Sequence, residues 1–251
     1  MMKLDEDERL DLLYFELASE DRLNILRELN STSLKMQDIA RKLDLTATEA
    51  SRQLQRMSKA ELIERNSEGL YNVTQFGKLI LSLSPSIEFA LKHKKYFLNH
   101  NIWKLPPSFI FRFGELFKTT LLTEMGEVMI QWEELIRRAE EHLWIMTPQR
   151  IPSLSRVIEE RHLQGVKLRF INPQQLLPTY SQVLTEHNIE RRVFNDFDFG
   201  ILAAEKEVML ALPFMDETPN PSGFFGRDPL SLKWIHDLFL YYWDQGKKWL
   251  R

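Results

Sequence analysis

The chain has 251 residues, enough for two small domains with their own cores, and a formal net charge of −3, which does not suggest a general nucleic-acid binder. It contains no cysteine, which excludes disulfides, thiolate zinc sites, iron–sulfur clusters and a thiol redox sensor. No apolar run reaches membrane-spanning length and the opening MMKLDEDER is acidic and polar, so a cytoplasmic protein with no membrane partner is expected.

Three helical patterns open the chain. Asp21–Leu29 carries Leu23, Ile25, Leu26 and Leu29, an apolar stripe at helical spacing. Asn30 to Ser33 break it, and a second helix follows with Met36, Ile39, Ala40 and Leu43. Asp44-Leu45 reads as a tight turn, with Leu45 plugging the core. Thr46-Ala47-Thr48-Glu49 is a capping box, in which hydroxyl and carboxylate satisfy each other's backbone amides. The helix it starts buries Ala50, Leu54 and Met57. Its other face carries Thr48, Ser51, Arg52, Gln55, Arg56 and Lys59. Such a face suits duplex DNA, because cations hold phosphates while short polar groups or an arginine fork read base edges.

Leu62–Arg65 and Leu70–Val73 are short strand patterns around Asn66-Ser67-Glu68-Gly69, a hairpin with glycine at its turn. Arg65 sits where such a hairpin touches a phosphate or the minor groove. Helix, helix, capped helix and hairpin is the plan of a winged helix-turn-helix. The expected DNA-binding residues are Thr46, Thr48, Ser51, Arg52, Gln55, Arg56, Lys59 and Arg65. Residues 35–65 hold seven Lys/Arg against five Asp/Glu, so this face is locally positive within an acidic chain. Weak, salt-sensitive non-specific affinity follows, and specificity would need a dimer presenting two such faces.

Thr74-x-x-Gly77 restarts a helix running through Leu79, Ile80, Leu83, Ile87 and Leu91 with Pro85 inside it. An aromatic, turn-rich segment from Tyr96 to Phe113 follows, too apolar for a free linker. His100 and Trp103 are expected to pack between the domains. Strand and helix then alternate. Leu143–Met146 is a strand, Pro152–Gln164 a helix stopped by Gly165, and Val166–Ile171 a strand. Gln174–His187 is a helix and Ile189–Phe194 a strand. A hairpin joins Phe199–Ala204 to Val208–Leu212. A last helix capped by Asp228-Pro229 carries Trp234, Leu238, Tyr241, Tyr242 and Trp249. The alternation implies an α/β sheet covered by helices. The fold class is α+β: residues 1–84 a DNA-binding domain, 85–130 a helical connector or dimerisation segment, and 131–251 an α/β sensory or dimerisation domain.

Four motifs carry a resemblance: Phe97-x-x-His100 with Pro106 or Pro107, Phe109 to Phe111 and Gly114-Glu115-Leu116; Ala139–Gln149; Gly165–Ile171; and Trp234–Gly246. In this order they resemble archaeal winged-helix transcriptional regulators with a methanogenesis-regulator-type C-terminal domain. The resemblance implies a homodimeric DNA-binding regulator whose second domain is similar to half of a phospholipase D-like fold and is not catalytic. It supplies no ligand.

A working phospholipase D-type site needs His-x-Lys with an Asp after four further residues. Only His93-x-Lys95 begins the motif, and His100 stands where the Asp belongs. A binding domain rather than an enzyme is expected, with no cofactor. Glu140-Glu141-His142 and His187 to Glu190 contain metal-ligand types at unsuitable spacing, so no metal is expected. Ligands of open α/β sheets sit beyond the carboxyl ends of parallel strands. Those ends hold Thr147, Gln149, Arg150, Asn172 and Gln174, a set suited to a small polar or anionic effector, with Trp144 and Phe170 as walls if their rings turn that way. The alternatives are a degenerate phosphodiesterase-like enzyme and a winged-helix adaptor that contacts protein.

Overall fold

The computed structural model describes residues 9–179 and 189–249. It divides into two compact units, Met1–Ser84 and Pro85–Arg251, so that residues 85–130 belong to the second unit rather than forming a connector of their own.

The first unit opens with α1 (Leu10–Leu17), a helix that sequence periodicity does not announce. Then come α2 (Glu20–Ser31), α3 (Met36–Lys42) and α4 (Ala47–Lys59). Asp44 takes a left-handed φ of 53° at the α3–α4 turn, as the tight turn requires. Strands β1 (Ile63–Arg65) and β2 (Tyr71–Val73) pair antiparallel, Ile63 opposite Val73. Asn66 organises their turn, its Oδ1 accepting the amides of Glu68 at 3.0 Å and Leu70 at 2.9 Å, and Gly69 supplies a φ of 82°. Leu34 bridges to Tyr71 and extends the hairpin by one short rung. The core joins Ile25, Leu26 and Leu29 of α2 to Ile39, Leu54 and Met57, with Leu62 and Val73 closing it. Each such fully buried aliphatic contributes about 1.5–3 kcal/mol relative to exposure.

Helix α5 (Gln75–Lys92) starts where the Thr74 hydroxyl accepts the Gly77 amide at 3.0 Å and donates to the Glu61 carbonyl at 2.6 Å. Gly77 is obligatory there, because a Cβ would lie 2.2 Å from the Leu62 carbonyl oxygen. Pro85 has no N–H for the Leu81 carbonyl; the Ser84 hydroxyl donates to it instead, at 2.9 Å.

In the second unit come α6 (Lys94–Phe97), α7 (Pro107–Ile110), β3 (Thr120–Leu122), α8 (Met125–Arg138) and β4 (His142–Met146). They are followed by α9 (Pro152–Leu163), β5 (Lys167–Asn172), β6 (Glu190–Val193), β7 (Gly200–Ala204), β8 (Val208–Ala211), β9 (Gly223–Gly226), α10 (Pro229–Gln245) and β10 (Lys247–Lys248). Among the described residues these strands form one sheet in the order β10-β6-β5-β4-β7-β8-β9-β3. β5 runs parallel to both β4 and β6, and the other pairs are antiparallel. Of the helix expected over Gln174–His187, a 3₁₀ turn at Gln174–Thr179 is present, and 180–187 lies outside the described residues.

Both faces of the central strands are buried, which explains their continuous apolar runs. One face packs α10 and the aromatic segment, with Trp234, Phe239, Phe89 and Phe113; the other packs α8 and α9, with Trp132, Leu135, Val157 and Ile158. Gly114 explains its place in the Gly-Glu-Leu motif, since a Cβ there would meet the Pro85 side chain at 2.6 Å. His100 is buried, stacked on Tyr96 with ring centroids 3.7 Å apart. Trp103 is instead 77% exposed, in a turn where Asn101 Oδ1 accepts its amide at 2.8 Å.

Candidate nucleic-acid interface and ligand pocket

The capping box forms as the residue types require. Thr46 Oγ1 accepts the Glu49 amide at 3.2 Å, and the Glu49 carboxylate accepts the Thr46 amide at 2.9 Å and its hydroxyl at 2.7 Å. Those hydrogen bonds hold the Glu49 carboxyl below its usual range. A cap of this kind stabilises a helix by about 1 kcal/mol. Helix α4 buries Ala50, Gln53, Leu54 and Met57 and leaves Thr48, Ser51, Arg52, Gln55 and Lys59 exposed.

Arg56 differs from its neighbours. Its guanidinium is held by Glu16 of α1, Nε to Oε2 at 3.0 Å and Nη2 to Oε1 at 2.7 Å, and it lies over the Phe15 ring. Glu16 also meets Arg22, which is buried and donates to the carbonyls of Glu16 and Phe15 and to Gln53 Oε1. Desolvation by burial, with Arg56 nearby, lowers the pKa of Arg22. This network joins α1, α2 and α4, and engages one of the four cations expected to reach DNA. On the hairpin, Arg65 is exposed but folded back over Tyr71, its Nε donating to the Gly69 carbonyl at 3.4 Å.

The second unit contains a pocket of about 470 Å³ counting its open mouth. Its walls are mainly Trp132 and Ile136 of α8, Ile145 of β4, Phe170 of β5 and Leu202 of β7, with Thr147, Arg150 and Ser155 as polar groups. The position fits the rule for parallel strands, beside the carboxyl ends of β4 and β5. The chemistry differs from a polar cluster. Thr147 is buried, and its hydroxyl serves its own turn, donating to the Gln149 carbonyl at 2.6 Å. Asn172 is fully buried outside the pocket, its side chain spanning the Thr147 carbonyl and Arg191. Gln149 and Gln174 are exposed and do not line this pocket. Trp144 and Phe170 are on opposite faces, because β4 places Ile145, not Trp144, opposite Phe170. Trp144 packs with Phe239 and under Arg169 on the α10 side. Sequence reasoning missed Trp132 and Ser155; the spacing of Val128, Trp132, Leu135 and Ile136 was the available signal for α8.

His93, the start of the only His-x-Lys, is buried between Phe89 and Phe224. His142 and His236 meet through Nε2 at 3.1 Å. His236 Nδ1 also donates to the Leu232 carbonyl, 2.7 Å away. Among the described residues no group of three carboxylates or histidines is placed to hold a metal ion, and no helix is long and apolar enough to cross a membrane.

Residues 10–89 match the domain family described as HVO_A0261 N-terminal domain. No curated protein matches the chain. Among solved structures it is similar to TrmBL2, described as an archaeal chromatin protein showing a novel mode of DNA binding. That similarity has 16% identity, covers 98% of this chain and 100% of that one, and gives a TM-score of 0.45. Nuc, a phospholipase D family member from Salmonella typhimurium, is 11% identical over 53% of this chain and all of its own, at a TM-score of 0.39. NucT from Helicobacter pylori is 11% identical over 53% of this chain and 99% of its own, at 0.43. Likenesses this distant do not bear on function.

Proposed function

We propose that the first unit is a winged helix-turn-helix that binds duplex DNA, and that the chain is a homodimeric, sequence-specific transcriptional regulator. The observation that carries this reading is the exposed face of α4. A capped helix presents Thr48, Ser51, Arg52, Gln55 and Lys59 to solvent, and a glycine-turned hairpin follows it. Arg52 and Gln55 have the forks that read guanine and adenine edges, and Lys59 supplies a phosphate contact. Arg56 acts as a brace for the helix rather than a base reader, because Glu16 holds it.

Self-association is supported by α5, whose Phe76, Leu79, Leu83, Ile87 and Leu91 fall on one helical face and are each at least 42% exposed. A contiguous apolar stripe on a helix is a seam for a second helix, and a twin supplies the matching surface. The second unit is a non-catalytic scaffold, resembling half of a phospholipase D-like fold, that responds to a small effector. An effector shifts the spacing of two recognition helices only by preferring one arrangement.

Selection of genomic fragments on the purified protein tests the reading. A discrete palindrome, bound with steep salt dependence, is expected; absence of any enrichment would favour the adaptor alternative. A phosphodiesterase assay tests the non-enzymatic part: turnover lost in His93→Ala would overturn it.

A further inference from the structure

The chain is acidic overall, at −3, but its charge is unevenly placed. Residues 85–120, which open the second unit, hold six Lys/Arg against two Asp/Glu, a local excess of positive charge. Two of the six are engaged by carboxylates: Arg112 by Glu115 and Asp237, and Lys104 by Asp196. The other four, Lys92, Lys94, Lys95 and Lys118, are exposed. Among the described residues none of these four forms an ion pair.

The fold gathers them. Lys92 ends α5, and Lys94 and Lys95 open α6 just after it. Lys118 is far along the chain but near in space: the Lys92 ammonium donates to the Phe117 carbonyl at 3.1 Å and lies 4.9 Å over the Phe117 ring. The residues between the lysines turn inward, His93 against Phe89 and Phe224 and Tyr96 into the core, so this corner shows its charge to solvent. Like charges gathered without counter-ions repel, and a polyanion relieves that repulsion. Lysine ammoniums are point charges rather than planar forks, so they suit phosphates and not base edges.

We propose that this corner of the second unit, formed by Lys92, Lys94, Lys95 and Lys118, is a second DNA contact that holds duplex phosphates without reading sequence. The inference rests on the DNA-binding reading above and extends it beyond α4 and the hairpin. Cations that neutralise phosphates release counter-ions, so each contact steepens the fall of affinity with salt by about 0.9 in the logarithmic slope.

The test titrates the full chain with a random-sequence duplex at several salt concentrations. The triple variant Lys94→Gln, Lys95→Gln, Lys118→Gln removes exposed charges whose loss leaves the core intact. It should bind at least about tenfold more weakly at low salt and with a slope shallower by about two to three. A second triple variant, Lys167→Gln, Lys247→Gln, Lys248→Gln, removes the same net charge from exposed positions elsewhere in the unit and should stay close to wild type. Equal losses in the two triple variants would reduce the effect to net charge and overturn the proposal. A wild-type slope in the first triple variant would overturn it too; if Arg52→Ala still weakens binding in that case, the regulator reading stands and only the second contact falls. Binding to phosphatidylserine vesicles that the first triple variant abolishes, with duplex binding unchanged, would assign the corner to a membrane surface and overturn it as well. No duplex binding by the wild type would overturn both readings together.

Discussion

Glu16 and Arg56 form a two-pronged ion pair across forty positions of sequence, at 3.0 and 2.7 Å, and so pin α1 to the outer flank of α4. Glu16→Ala would strip a partner from Arg22, whose side chain is 8% exposed, and release Arg56. A loss of about 1–3 kcal/mol in the first unit is expected, because a buried charge loses a partner. DNA affinity should become more salt-dependent, since one more cation is free to meet phosphate. Unchanged melting and an unchanged salt slope together would show that the pair is ornamental.

Within α4 the exposed cations should separate by role. Arg52→Ala is expected to weaken the specific site by about 1–3 kcal/mol and relax one base preference. Lys59→Ala should weaken all duplexes alike and flatten the salt slope by about one. Arg56→Ala should act mainly on stability. Binding titrations on matched and scrambled duplexes measure all three; a base-specific effect confined to Arg56 would invert the assignment.

The exposed stripe on α5 predicts that Leu79→Glu with Leu83→Glu yields a monomer that still folds, because neither side chain is buried in the single chain. Light scattering and circular dichroism read the two halves of that statement. A dimer persisting in the double variant would move the interface elsewhere.

Acid should destabilise the second unit. Burial is the main cause pulling His93, His100 and His142 below the ordinary histidine value. Lys92 adds to it at His93 and His236 at His142. Their folded pKa values are depressed, so the unfolded chain takes up protons first as pH drops through about 6.5, and stability falls there. Asp198 works the other way: burial raises its carboxyl, so protonation favours the fold at lower pH. Thermal melts between neutral and mildly acidic pH should show the decline, and His100→Gln should flatten it. A melting temperature indifferent to pH across that range would contradict the buried, neutral histidines.

Local chemistry was legible in the sequence. The Thr46–Glu49 box, the glycine of the hairpin turn, the Gly165 stop with its φ of 94° and the Asp228 cap of α10 all involve residues a few positions apart. Features depending on distant partners were not. Helix α1 has no clean apolar stripe, and its attachment adds Glu16 meeting Arg22 and Arg56 to the packing of Leu13 and Leu17 on the core. The same long-range pair, invisible in the sequence, engages the Arg56 expected to reach DNA. Alternation told that Trp144 and Ile145 face opposite ways, but only the pairing register with β5 put Phe170 on the side of Ile145. Asn172 looked like a ligand group because residue type reveals polarity, not whether a neighbour such as Arg191 already engages it.

Strand β7 hands its successive side chains to different neighbourhoods: Ile201 and Ala203 to the α10 side, Leu202 and Ala204 to the α8–α9 side. The sheet therefore works as a partition. Resizing Leu202 disturbs the chamber containing Trp132, while resizing Ala203 disturbs the one containing Trp234. Adjacent positions in the gene thus report on separate compartments, and indole fluorescence in each gives every compartment its own lamp.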